Sequence, residues 1–441
     1  MQMATMKKRT VLLINPPVYD FAAFDLWAKP LGQLYLSSIL KENDINVQML
    51  DYMDRHFGKN ESKSNKYGCG HYIKNKTPKP EVLESIPRYY SRYGISADEA
   101  KNYLKNISSP DIVMITSVMT YWYPGVFEAV ATVKEIFPEV KTVLGGVYAT
   151  LCPEHAQKTG ADLIVKGELA ALKETFFSMG WNIEIPKNFS DFPSPDFSHY
   201  KTNEYACLRM SLGCPFRCSY CAQDLLCGNS HMVKPWQKVF DEIKFFTRKG
   251  IKNIAFYDDA LLYKAEENIK PLLSKIIDEN LDINIHTPNG LHARYLDAEL
   301  ASLMKKSGFI MPRFSLETVN SEVQKKTGNK VSADIFAAAA ECLQSAGYKR
   351  GEYTAYLLIG MPGQSLEDAE KSAIFVNSLG AKISFSEYSV IPGTKDFLKA
   401  DEKFASEPLY HNKSVFPLFS LNQWSEIRRI KELAIKLNSL L

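Results

Sequence analysis

Ser211-Leu-Gly-Cys-Pro-Phe-Arg-Cys-Ser-Tyr-Cys-Ala222 carries three cysteines, Cys214, Cys218 and Cys221, in one short loop. Three and then two residues separate them, so three thiolates can converge while a fourth position stays open. Soft thiolates select iron–sulfur clusters, zinc or cuprous copper. An ordinary four-iron cluster takes four cysteines, and this loop offers three. A closed zinc site wants four ligands, typically two separated Cys-x-x-Cys pairs. No second pair exists, because Cys69, Cys152, Cys207, Cys227 and Cys342 stand alone, although His231, ten residues past Cys221, could complete a zinc site.

Outward from the loop, Ala206–Ser211 alternates apolar and polar residues and reads as a strand. Downstream, strand candidates at Asn253–Tyr257, Asp282–Thr287, Met311–Leu316, Tyr353–Ile359 and Lys382–Val390 alternate with helical periods. The periods lie at Lys238–Lys249, Ala265–Asn280, Ala298–Ser307, Ala333–Ala346 and Leu366–Leu379. Such alternation argues for a parallel sheet built from strand–helix units. With the cysteine strand this predicts a partial (β/α)6 barrel, whose functional positions cluster at the carboxyl ends of its strands.

Upstream, Val11-Leu-Leu-Ile-Asn15 is an apolar run of the kind buried on both faces of a parallel sheet. A Pro-Pro loop and the helix-like Leu31–Lys41 follow, then runs at Asn46–Leu50, Asp111–Ser117, Lys141–Leu144 and Leu163–Val165, with helices at Val126–Ile136 and Glu154–Thr159. The fold class is therefore α/β: an N-terminal doubly wound parallel sheet, then the partial barrel. Ligands of doubly wound sheets bind outside the carboxyl ends of the strands. The expected boundaries are a first domain over 1–184, interrupted by a Lys-, Asn- and Tyr-rich insertion at 55–110 with short helices around Pro80–Arg92 and Ala97–Asn106; a Pro-containing connector over 185–200; the barrel over 201–400; and a C-terminal helical segment over 401–441. In that last segment Asn422–Leu440 spaces its apolar residues as an amphipathic helix.

The cysteine loop, with aromatic Tyr220 before its last cysteine and a strand before it, resembles that of the radical S-adenosylmethionine enzymes. The resemblance implies a [4Fe-4S] cluster whose open iron chelates S-adenosylmethionine, which an electron then cleaves to a 5′-deoxyadenosyl radical. It places Tyr257, Asp258 and Asp259 where the family holds the amino group of S-adenosylmethionine, although the usual pattern there is Gly-Gly-Glu. Ser315 and Glu317 alternate with Phe314 and Leu316, so both can face the barrel interior. By resemblance Glu317 takes the ribose, with Asn289 nearby. Leu357-Leu-Ile-Gly-Met-Pro-Gly-Gln364 resembles the glycine element beside the adenine, where Gly360 and Gly363 let backbone approach the ligand.

In the first domain, Ser117-Val118-Met119 and, after 25 intervening residues, Gly145-Gly146 resemble the cobalamin-binding domains that precede many such barrels; Ser117, Gly145 and Gly146 would accommodate the nucleotide tail. The Asp-x-His-x-x-Gly element that supplies a cobalt-coordinating histidine is missing: the corresponding loop reads Asn15-Pro-Pro-Val-Tyr-Asp20, and no histidine precedes His56. A bound cobalamin would lack a histidine lower ligand from that loop.

Length favours two or three domains, and 45% hydrophobic residues suffice for their cores. No apolar run approaches a membrane span or a signal peptide's apolar segment, and a net charge of +3 implies no nucleic-acid or membrane field. Eight cysteines with three in a thiolate loop indicate a reducing, cytoplasmic setting. The reading is a radical S-adenosylmethionine enzyme with cobalamin as second cofactor, a methyltransferase acting on an unactivated carbon, fed by a donor such as flavodoxin or ferredoxin. Two rivals stand beside it: a radical enzyme of cyclisation or rearrangement, with or without cobalamin, and a non-catalytic iron–sulfur or zinc protein.

Overall fold

The computed structural model describes residues 8–58, 62–228, 230–415 and 423–441. Residues 59–61 of the insertion and Asn422, where the C-terminal helix was expected to begin, lie outside them. The chain divides into two compact units, Met1–Asn203 and Glu204–Leu441.

The first unit is built on five parallel strands, β1 (Thr10–Asn15), β2 (Asn46–Asp51), β3 (Ile112–Ile115), β4 (Lys141–Leu144) and β5 (Leu163–Ile164). Their order is β5-β4-β3-β1-β2. Val11–Ile14 are wholly buried because β1 lies between two neighbours, which is why this stretch is an unbroken apolar run rather than an alternating one. Strand order reverses between β1 and β3, so the crevice for a ligand opens at the ends of those two strands.

The insertion differs from its expectation over Pro80–Arg92. A 3-10 turn at Glu81–Leu83 is followed by a strand, Ser91–Tyr93. Pro87 forbids a helix through this stretch, and Ser91 and Tyr93 point inward while Arg92 does not. The strand pairs antiparallel with Val18–Asp20 on one side and Lys74–Lys76 on the other. The Asn15–Asp20 loop is thereby made part of a small sheet. The expected helix at Ala97–Asn106 forms as Ala97–Lys105, started by a capping box between Ser96 and Glu99. The connector lies on the first unit: Asp196 accepts from Ser37 Oγ at 2.7 Å and Tyr200 donates to Asp51 at 2.7 Å.

The second unit holds six parallel strands in two groups of three: β6 (Tyr205–Leu208), β7 (Asn253–Phe256) and β8 (Asn284–His286), then β9 (Arg313–Glu317), β10 (Thr354–Ile359) and β11 (Lys382–Glu387). Parallel bridges Ile285–Phe309 and Leu291–Phe314 link the groups. Helices Trp236–Arg248, Ile269–Asp278, Ala298–Lys306, Ala333–Ser345 and Leu366–Ser378 stand between successive strands. Beyond β11, helix Trp424–Asn438 buries Ile427 and Ile430 against Ile359 and Ala369. Asn438 exchanges hydrogen bonds with the backbone of Ile383 at 2.7 and 2.9 Å, closing the open edge of β11. Among the described residues, no helix is long and apolar enough to cross a membrane.

Candidate active site

The cysteine strand ends earlier than its alternation suggests. β6 stops at Leu208, and Ser211–Leu212 pairs antiparallel with Met232–Val233. Asp258, just past the end of β7, directs this turn. Its buried carboxylate accepts from the backbone N–H groups of Met210 and Ser211 and, at 2.7 Å, from Ser211 Oγ. Burial pushes its pKa up to about 6, against the pull of these donors. Asp259 accepts from Gly213 N at 3.2 Å and from Gln223 Nε2 at 2.7 Å. Gly213, at φ +88°, has no room for a side chain, since a Cβ would lie 2.2 Å from the Ser230 carbonyl. The two aspartates thus hold the cysteine loop from both ends as positioning residues. Asn289 donates to the carbonyls of Tyr257 and Asp258 at 3.1 and 3.3 Å, so Tyr257, Asp258, Asp259 and Asn289 come together at the ends of β7 and β8.

Cys214 and Cys218 are partly buried and Cys221 is exposed. Although the Cys221 residue as a whole is exposed, burial of the sulfurs raises all three thiols, Cys221 to about 11; Cys218 raises Cys214 further, and Cys214 and Cys218 together raise Cys221. Thiols of one short loop, crowded enough for Cys214 and Cys221 to feel a neighbouring thiolate, suit a cationic group bound among them. Among the described residues, no three His, Cys, Asp or Glu side chains are grouped as a single-ion site. His231 packs edge-on against Tyr263, with ring centroids 5.0 Å apart. Cys227 accepts from Gln223 at 2.9 Å, and Cys207 is buried within β6. The donor set is three thiolates of one loop, which fits a cluster with an open iron.

Glu317 ends β9 in a left-handed conformation, φ +62°, where the pairing with β10 shifts register. Backbone strain of this kind marks sites where a side chain must be aimed. Its Oε1 accepts from Lys330 Nζ at 2.6 Å. Lys330 is a residue that sequence reasoning missed; its ammonium lowers the pKa of all three cysteines. Ser315 lies against Gly290, whose missing side chain leaves space for its Oγ. Tyr220 packs beside Val323, Met361 and Tyr388. Gly360, at φ +88°, donates to Gln364 Oε1 at 2.9 Å, closing the turn after β10.

At the first unit's crevice, Gly146 adopts φ +88°, and a Cβ there would meet the Ser117 carbonyl at 2.6 Å. Ser117 Oγ donates to the Met119 carbonyl at 3.1 Å. At Gly145 a Cβ would meet nothing nearer than the Val165 carbonyl at 3.9 Å, so the space beside it is open. Val118 and Met119 remain 45% and 39% exposed. An open glycine edge beside an apolar shelf fits a large, flat, tailed ligand. The Asn15–Asp20 loop offers no imidazole: Asn15 donates to Asp51 at 2.7 Å, and Asp20 accepts from Trp122 Nε1 at 2.8 Å. His71, in the insertion, packs on Phe24.

Two domains of known kind are therefore joined in one chain, a three-thiolate barrel and a doubly wound ligand-binding sheet. The sequence profile of the radical SAM superfamily matches residues 208–376, and that of the B12 binding domain matches residues 96–175. The chain belongs to the radical S-adenosylmethionine enzymes that carry a B12-binding domain. It is 23% identical to an uncharacterized methyltransferase of Pyrococcus horikoshii, over 65% of this chain and 68% of that protein. It is 21% identical to the cytidylyl-2-hydroxyethylphosphonate methyltransferase of Streptomyces wedmorensis, over 89% and 81% respectively. Its fold is similar to that of the radical S-adenosylmethionine methyltransferase TsrM from Kitasatospora setae, with a TM-score of 0.67 at 16% identity, covering 90% of this chain and 77% of that one.

Proposed function

We propose that the protein is a cobalamin-dependent methyltransferase that acts on an unactivated carbon of its substrate. The observation that carries this reading is the pairing, in one chain, of a three-cysteine loop with an open fourth position and a separate glycine cradle for a tailed ligand. When bound, the cluster delivers the electron that cleaves S-adenosylmethionine, and cobalamin carries the methyl group.

The chain's own residues bind and orient. Cys214, Cys218 and Cys221 hold iron, while Asp258 and Asp259 fix the loop that presents them. Glu317 accepts from the ribose hydroxyls, and the Gly360 turn admits the adenine. Ser117, Gly145 and Gly146 receive the cobalamin tail, with Val118 and Met119 against the corrin. A low-potential carrier of the flavodoxin or ferredoxin type supplies electrons, in a reducing compartment such as the cytoplasm. Methyl-deuterated S-adenosylmethionine tests the reaction type. A product carrying the methyl group with its label supports transfer, and an unlabelled cyclised or rearranged product overturns it.

A further inference from the structure

The insertion concentrates the positive charge of the chain. Over residues 55–110 it carries eleven Lys and Arg against five Asp and Glu, a net +6 on a chain whose total is +3, so the remainder is −3. Two of its arginines are matched from outside it: Arg55 pairs with Asp25 at 2.7 Å and Arg92 with Glu128 at 2.6 Å. Lys63, Lys66, Lys74 and Lys76 are exposed, and among the described residues none of the four pairs with a carboxylate. Lys76 Nζ instead stands 3.6 Å above the ring centre of the exposed Tyr89.

Lys74–Lys76 is also an edge of the small antiparallel sheet whose centre is Ser91–Tyr93 and whose other edge is Val18–Asp20. Along such a ladder, hydrogen-bonded and non-hydrogen-bonded pairs alternate. Gly94 donates to the Ile73 carbonyl at 2.9 Å and Thr77 to the Tyr90 carbonyl at 3.1 Å, so Asn75 opposite Arg92 is the hydrogen-bonded pair between them. The N–H and C=O groups of Lys74 and Lys76 therefore point outward, and among the described residues they have no partner. Outward groups in strand register match a polypeptide backbone, which neither a nucleic acid nor a lipid offers. Lysines on a short edge repel a second copy of that edge. They favour a strand that sets carboxylates opposite them, because oppositely charged cross-strand pairs stabilise. Edge protection accounts for Lys74 and Lys76 alone; Lys63 and Lys66 lie outside the named strands and extend the same positive field.

We propose that Lys74–Lys76 is a docking edge for a polypeptide partner, which adds an extended acidic segment as a fourth strand with Asp or Glu opposite Lys74 and Lys76. The far edge of this sheet, Val18–Asp20, comes from the loop that leaves β1 at the ligand crevice, so the partner is held on the sheet that borders the crevice. The docking depends neither on the cofactors nor on the methyl-transfer reading.

The test is fluorescence anisotropy of the full-length protein with a labelled peptide that alternates Glu and Thr. Two control peptides have the same length: one alternates Glu and Pro, which keeps the charge but removes the N–H donors a strand needs, and one alternates Lys and Thr. The Glu-Thr peptide should bind at least about tenfold more tightly than either control, and added salt should weaken it. Lys74→Glu with Lys76→Glu should abolish that binding and leave thermal melting unchanged, because both side chains are exposed. The same double variant should now bind the Lys-Thr peptide, a reversal that a misfolded protein would not show. If the variant does not fold, the comparison of the Glu-Thr and Glu-Pro peptides on the wild type decides. Equal binding of the Glu-Pro peptide would leave only an unspecific charge effect and overturn the proposal. So would a Glu-Thr peptide that does not bind, or that binds the charge-reversed variant as well as the wild type.

Discussion

Gly145 and Gly146 are neighbours with opposite surroundings, and that contrast separates ligand binding from folding. At Gly146 a side chain meets both a left-handed backbone and the Ser117 carbonyl, so Gly146→Ala should destabilise the apo protein by about 1–3 kcal/mol. At Gly145 the space is open. Gly145→Leu should leave apo thermal melting unchanged and abolish cobalamin uptake, read from the absorption spectrum after desalting. On the proposed reading Glu317 is another residue with two duties. Removing it costs a ribose acceptor, about 1.5–3 kcal/mol of S-adenosylmethionine binding, and also strands Lys330. Glu317→Ala should therefore also lower apo stability, by about 1.5–3 kcal/mol, the worth of a charged hydrogen bond in this partly buried pair, checked by denaturant unfolding. At this scale the cysteines were legible because their spacing is local. Lys330 was not, because it meets Cys218 only through the docking of the Thr327–Lys330 loop, more than a hundred positions along the chain.

Among the elements, the β7 terminus controls the cysteine loop. Asp258 carries a folded pKa of about 6 against an ordinary 3.8, so between those values the native state binds more protons than the unfolded one. Its contribution to stability is therefore present at the acid end and is lost as pH rises through that window, flattening above it. Asp258→Asn should remove this slope, so the stability difference between variant and wild type should change between about pH 4 and 6 and stay constant above, measured by urea unfolding of the apo protein. The loop itself makes a sharper distinction: Cys218→Ala should lose iron, whereas Cys227→Ala and Cys207→Ala should keep it, by iron and sulfide assay. Most strands and helices were legible, since parallel strands read as apolar runs and their helices as amphipathic periods. The Pro80–Arg92 stretch was not, because Ser91–Tyr93 becomes a strand only by pairing with two distant segments. Tyr257 and the two aspartates were legible as a polar strand end, but not the aspartates' hydrogen bonds to the cysteine loop.

For the whole molecule, the order of domains was legible from the change between five apolar runs around an insertion and six regular strand–helix units. The substrate was not, because no motif at the strand ends or in the insertion specifies one. What the two domains together imply is a double use of S-adenosylmethionine, once as methyl source and once as radical source. The central claim is tested most directly by quantifying S-adenosylhomocysteine and 5′-deoxyadenosine against methylated product, with the anaerobically reconstituted full chain. The account predicts that both by-products accumulate together, one of each per methyl group transferred. Formation of 5′-deoxyadenosine with product, and no S-adenosylhomocysteine above background, would contradict it.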